Sequence, residues 1–221
     1  MADFIIYADD TNLIFSDTDI FNLCRNINIE LQKIKNWLDT NKLSLNIDKT
    51  EYMIFQTTKK YRSISDFKCD IRLNNKKLTR VEDTRFLGIQ IDQNLNWSKN
   101  INKKAKQIQK TTCVMSKLKH QLPKHILKTI YFSLVESHLR FGILAWGNSP
   151  ASQTHRLIVL QKKALRILTN SKKKSHTSHL FGNQEILKFE DLYKLNVIKF
   201  VTEYQYGECP SYFCDTLNTN V

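Results

Sequence analysis

The residues best suited to chemistry stand near the start of the chain, in Tyr7-Ala8-Asp9-Asp10, where two adjacent carboxylates separate the apolar runs Phe4-Ile5-Ile6 and Leu13-Ile14-Phe15. Such runs are β-prone, so residues 4–15 predict a hairpin with a tight Ala-Asp-Asp corner. An Asp pair at a corner has two readings. Asp tolerates turn geometry and bonds its own backbone, which leaves an inert surface turn. Alternatively, strands this apolar rest on a packed sheet, the carboxylates stand at the rim of a site, and their oxygens suit divalent cations. A zinc set could in principle be drawn from His176-x-x-His179 and Cys209-x4-Cys214, but neither pair has knuckle-like spacing. No local signature around any cysteine marks a nucleophile.

The elements that position the carboxylates follow from periodicity. Asp17 or Asp19 can cap a helix running to about Asn41, with Ile20, Leu23, Ile27, Leu31, Ile34 and Leu38 on one stripe, expected to pack on the hairpin's sheet. Leu43, Leu45 and Ile47 alternate as a strand would, and Glu51 to Phe55 read as another. The polar, basic stretch 57–65 marks a boundary. Asn74-Asn75 suits a two-residue hairpin turn because Asn tolerates positive φ. Phe86 to Ile91 reads as a strand in which Gly88 marks a bulge or a close approach.

From Ser98 onward the pattern turns helical. Ile101, Ala105, Ile108, Met115 and Leu118 form the buried stripe of the first helix, and a second starts at Leu122-Pro123 with Ile126, Leu127, Ile130, Tyr131, Leu134 and Leu139 inward. A buried turn at 141–147, a helix through Leu157 to Leu168 and a last helix near 190–204 complete the chain.

Charge is unevenly placed along the 221 residues. Residues 1–58 carry five Lys and Arg against nine Asp and Glu, whereas the remainder carries 29 against 12, within a formal net charge of +13. Between Asp92 and Glu136 there are nine lysines and no acidic residue. A single-sign helix forgoes i,i+4 pairing, so this segment reads as contacting a phosphate backbone rather than as a merely soluble face. No run is long and apolar enough for a membrane span, and five scattered cysteines argue for a reducing compartment without a disulfide framework. The chain opens inside a strand, which reads as a truncated start.

Several blocks, taken in order, resemble the catalytic core of non-LTR (LINE-type) retrotransposon reverse transcriptases. They are residues 4–15 around Tyr7-Ala8-Asp9-Asp10, residues 37–51 with Asp48-Lys49-Thr50, and Phe86-Leu87-Gly88 through Trp97. Later stretches, 141–147, 160–166 and 186–193, resemble the thumb side, so the likeness covers about residues 3–205.

The resemblance implies an α+β fold: a partial polymerase palm of hairpin, helix and strand in 1–58, a palm/thumb junction with a primer-grip-like hairpin in 59–98, a basic, mostly α-helical thumb in 99–205, and an irregular tail in 206–221. It implies an RNA-directed DNA polymerase fragment acting in the full-length enzyme by two-magnesium nucleotidyl transfer, with RNA template, DNA primer and dNTP as partners and the nucleus as the expected location. Asp9 is then a Mg²⁺ ligand, Asp10 its neighbouring carboxylate, Lys49 a cation near departing pyrophosphate or else a strand-edge lysine, and Tyr7 a neighbour of the primer end. Phe86, Leu87 and Gly88 grip the primer backbone, and Lys99, Lys103, Lys106 and Lys110 line the template-primer. The family often has His where this chain has Asn100. The expected upstream palm Asp, fingers and endonuclease are not among the 221 residues, so the chain is expected to be inactive alone. The alternative is a non-catalytic basic nucleic-acid-binding remnant, and a third reading is a helical protein-interaction domain.

Overall fold

The computed structural model of the chain describes residues 3–8, 10–55, 69–210 and 213. Helices make up 56% of the chain and the strands form small sheets, a mixed composition compatible with an α+β protein. Two units divide the residues, Met1–Thr84 with Asp92–Leu95, and Arg85–Ile91 with Asn96–Val221. The predicted boundary at 57–65 lies outside the described residues.

In the first unit, β1 (Asp3–Tyr7) and β2 (Asp10–Ile14) pair antiparallel, with Tyr7 opposite Asp10 and Asp3 opposite Ile14. Helix α1 (Ile20–Thr40) is capped by Asp19, whose carboxylate accepts from the Phe21 amide at 2.7 Å. Its predicted stripe does turn inward, but it packs elsewhere than expected. Cys24 and Leu31 are buried with Cys69, Ile71, Leu73 and Leu78, and Ile20, Ile27 and Leu13 close on the same cluster. The helix therefore rests on the segment containing β4 (Arg72–Leu73), and the hairpin contributes Leu13. Asn28 fixes this docking as a second peptide group would, donating to the Asp70 carbonyl at 3.0 Å and accepting from the Arg72 amide at 2.9 Å.

Two strand expectations change here. Residues 43–46 form no strand, and Ile47–Lys49 is a single 3-10 turn with Asn46 at its cap. The run after it shrinks to β3 (Glu51–Tyr52), which pairs in parallel with β6 (Thr79–Arg80). Asn74 and Asn75, at φ 51° and 60°, make the predicted turn between β4 and β5 (Lys76–Lys77). The cysteine expectation changes as well. Cys24 and Cys69 are joined as a disulfide, with Cα atoms 6.0 Å apart, within the ordinary bridging range.

The expected strand 86–91 is instead a hairpin. Strands β7 (Asp83–Phe86) and β8 (Ile89–Asp92) pair, and Leu87 and Gly88, at φ 44° and 86°, form the two-residue turn between them. Positive φ at both turn positions is what a hairpin's twist demands.

The second unit holds the larger core. Helix α2 (Ser98–Leu118) buries Ile101, Ala105, Ile108 and Met115 as predicted. Helix α3 (Lys124–Tyr131) continues through a π-helical segment, Phe132–Glu136, into α4 (Ser137–Arg140). That wide turn shifts the helical phase, so Val135 is buried while Leu134, expected inward, is 47% exposed. Ile126 is likewise exposed. Helices α5 (Ile143–Trp146), α6 (Ala151–Leu168), α7 (Ser178–Gln184) and α8 (Phe189–Gln205) close the core around Trp146, Leu157, Leu165 and Leu192. The Ile198 and Val201 end of α8's expected stripe is exposed.

Gln161, 1% exposed, ties this core together. Its Nε2 donates to the Tyr131 hydroxyl at 3.0 Å and to the Leu187 carbonyl at 2.9 Å, and its Oε1 accepts from the Phe189 amide at 3.0 Å. A buried amide with three of its hydrogen bonds made fixes three elements at once, α3, α6 and the start of α8.

Candidate functional site

Strand alternation sets which hairpin residues share a face. Tyr7 and Asp10 are directly opposite and project to the same side, while Leu13, which packs on the core, projects to the other. Tyr7 is 64% exposed and Asp10 is exposed as well. The hairpin is thus open on the side carrying its carboxylate, and Phe4, Ile5, Ile6 and Ile14 also remain exposed rather than covered by a packed sheet. Asp9 lies outside the described residues.

Lys49 ends the 3-10 turn, exposed, and is therefore not a strand-edge residue. Its amide is held by the Asn46 side chain at 3.3 Å. Its neighbour Asp48 is in an ion pair with Lys76, which leaves Lys49 as the cation of that turn with no carboxylate partner among the described residues. No group of three or more His, Cys, Asp and Glu that could hold a metal ion occurs among the described residues. Asp10 is the one described carboxylate of the Ala8-Asp9-Asp10 corner, and no chemical step is assigned to a metal here. His176 and His179 are exposed, and Cys214 lies outside the described residues.

The Leu87-Gly88 turn packs within the second unit. A Cβ on Gly88 would stand 3.1 Å from the Phe141 ring, so a residue without one permits the close approach as well as the positive φ. Gly142, at φ 66°, meets Ile89 in the same way. Asn100, 1% exposed, accepts from the Gln90 amide at 3.3 Å through Oδ1. The residue that departs from the resembled family is thus a backbone holder for β8, a role the sequence did not reveal. Phe86 is half-buried and Leu87 is 41% exposed at the tip.

Lys99, Lys103, Lys106 and Lys110 are all exposed on α2. At 100° per residue they fall within an arc of about 60°, one stripe roughly 16 Å long. Among the described residues Lys103, Lys106 and Lys110 form no ion pair; Lys103 donates to the neutral Gln90 amide oxygen at 3.4 Å. Arg156 reaches the same helix, donating to Gln109 at 3.1 Å, again a neutral acceptor.

Lys104 breaks the pattern. Although it sits in the lysine-rich run, it is 5% exposed, and its Nζ donates to the carbonyls of His138 and Phe141 at 3.0 and 3.1 Å. It also lies 5.2 Å from the Phe141 ring centre and 5.1 Å from that of Trp146. Burial, and then the charge of Lys103, pull its ammonium down to about 8. The phase of α2 predicts its inward placement, because 104 falls beside 101, 105 and 108; its charge hid that from a reading by residue type.

Among known proteins, the chain is similar to a Drosophila melanogaster protein named as a probable RNA-directed DNA polymerase from transposon BS, at 23% identity over 168 residues. The match covers 74% of this chain and 18% of that protein, so the chain spans under a fifth of its relative's length. No protein-family model matches, and no solved structure matches significantly. The likeness supports a reverse transcriptase relationship at the level of the family.

Proposed function

We propose that this chain is a C-terminal palm and thumb portion of a retrotransposon reverse transcriptase, and that its own contribution is to hold template-primer through the basic helical unit. The observation that carries this reading is the α2 stripe: Lys99, Lys103, Lys106 and Lys110 on one exposed face, away from the buried Ile101, Ala105, Ile108 and Met115, in a segment without a carboxylate. Lysines in that array reward a polyanion through counterion release. The turn at Leu87-Gly88, held by Phe141 and Asn100, belongs to the same unit and is assigned to the primer backbone. The relative's name supports the polymerase class.

In this reading the first unit is palm. Asp9 and Asp10 are magnesium-binding carboxylates in the full-length enzyme, with Tyr7 beside the primer end and Lys49 near the leaving pyrophosphate. The alternative is a binding module without catalysis, which would keep the α2 stripe as its working surface. Both are tested by measuring affinity for an RNA–DNA hybrid as salt rises from about 50 to 200 mM. Binding should weaken steeply, and replacing Lys103, Lys106 and Lys110 by Gln should flatten the log–log slope by about two to three, at about 0.9 for each phosphate left without its lysine. An affinity indifferent to salt overturns nucleic-acid binding. A primer-extension assay with Mg²⁺ separates the two readings, since template-dependent synthesis by this chain alone overturns its inactivity.

A further inference from the structure

We propose that the cavity where α6, the approach to α7 and the first turn of α8 meet is an anion site that takes a phosphate group. It has a volume of about 170 Å³, and its wall includes Lys162, Thr177, Ser178, Lys188 and Glu190 around Gln161. Two of the sequence blocks singled out above, 160–166 and 186–193, converge here through the Gln161 hydrogen bonds to Leu187 and Phe189. The α2 lysine stripe makes no part of this wall.

The wall supplies donors from several directions, as a tetrahedral oxyanion requires. Lys162 and Lys188 form no ion pair with any described residue. Thr177 is 8% exposed, yet its hydroxyl makes no hydrogen bond among the described residues. A hydroxyl without a protein partner in the cavity wall is a donor and an acceptor left for a polar guest. Ser178 adds a second hydroxyl, and α8 begins without a side-chain cap. The surrounding field has the same sign: from Ser137 to Gln184 the chain carries eight Lys and Arg and no Asp or Glu, and Lys172-Lys173-Lys174 lies just before Thr177. Glu190 is the single carboxylate in the wall. It opposes an anion and so limits affinity.

The same phosphoryl chemistry is offered by free phosphate and by a nucleic-acid backbone, and the experiment separates them. The full chain is heated in phosphate and in chloride of matched ionic strength, and its affinity for an RNA–DNA hybrid is measured in parallel. Lys188→Gln, Thr177→Val and Glu190→Gln are compared after circular dichroism shows native helicity. A free-phosphate site gives a melting temperature raised by phosphate, lost in Lys188→Gln and Thr177→Val and enlarged in Glu190→Gln. A backbone site gives no such rise, but Lys188→Gln lowers the salt slope of hybrid binding by about one. The proposal is overturned if neither readout moves, or if phosphate stabilises Lys188→Gln and the parent equally. The α2 stripe is read by its own Gln variants, so failure of this site leaves the proposed function standing, and the reverse.

Discussion

The Lys104 ammonium donates to the Phe141 carbonyl oxygen at 3.1 Å while lying 5.2 Å from the centre of the same residue's ring. The Trp146 indole donates to that carbonyl as well, at 3.0 Å. Phe141 thus ends α4 with its carbonyl doubly bonded and its ring fixed against Gly88. A cation at the C-terminal end of a helix meets the carbonyls that the helix leaves unpaired.

Burial of that cation gives a pH signature. The folded value of about 8 lies below the ordinary lysine value of 10.5, so between these limits the unfolded chain binds more protons. Stability should therefore rise with pH from about 8 toward 10. The slope is at most about 1.4 kcal/mol per pH unit, less what solvent screening removes. Tyr131 and Tyr52, both raised chiefly by burial, reverse the sign above pH 10. Urea unfolding at pH 7.5, 8.5 and 9.5 checks this. Lys104→Met should lose the rise, and an unchanged rise in that variant would assign it to another group.

Gln161→Leu should be among the most destabilising single changes in the chain. The replacement leaves the Tyr131 hydroxyl, the Leu187 carbonyl and the Phe189 amide without their partner. At about 1–3 kcal/mol for each buried group left unpaired, a loss of about 3–5 kcal/mol is expected. Denaturant titration of the two proteins measures it, and a loss under 1 kcal/mol would mean that water replaces the amide.

The helical unit was largely legible in the sequence because a 3.6-residue apolar period survives almost any surface. Ile101, Ala105, Ile108 and Met115 needed nothing more. What misled was local: the π segment at 132–136 moved the phase by one residue and exchanged Leu134 for Val135, and no residue type announces such a turn. In the first unit, alternation at Leu43, Leu45 and Ile47 mimicked a strand that no neighbouring strand among the described residues pairs with. The site residues were proposed from residue types in order, whereas Asn100 and Lys104 became interpretable once their backbone partners were visible.

Two glycines should respond oppositely to alanine. Gly147 sits where a Cβ would fall 2.5 Å from the Ile143 carbonyl oxygen and 2.5 Å from the Tyr193 ring, so Gly147→Ala must push α5 from α8. A loss of about 1–3 kcal/mol follows from such overpacking. Gly182 lies within α7 with nothing near the added carbon, so Gly182→Ala should stabilise by about 0.4–1 kcal/mol through the unfolded chain. Thermal melts of both variants beside the parent decide this, and a destabilised Gly182→Ala would contradict the open space seen there.

The bond between Cys24 and Cys69 makes the first unit sensitive to reductant. It closes a loop of 45 residues in sequence and links α1 to the segment leading into β4. Loop-closure entropy of that size gives a stabilisation of about 2–4 kcal/mol. Reduction should therefore lower the unfolding midpoint of this unit, while the helical unit, where Cys113 and Cys209 are not in a disulfide, stays unchanged. Native-state amide exchange, with and without dithiothreitol, separates the two: α1 amides should lose protection on reduction and α6 amides should not. Thiol titration of the unreduced protein is the complementary measurement, since two fewer reactive groups than the five cysteines are expected under denaturing conditions. All five reacting before reduction would show that the pair is not bonded, and α1 would then be held by Asn28 and the apolar cluster without it.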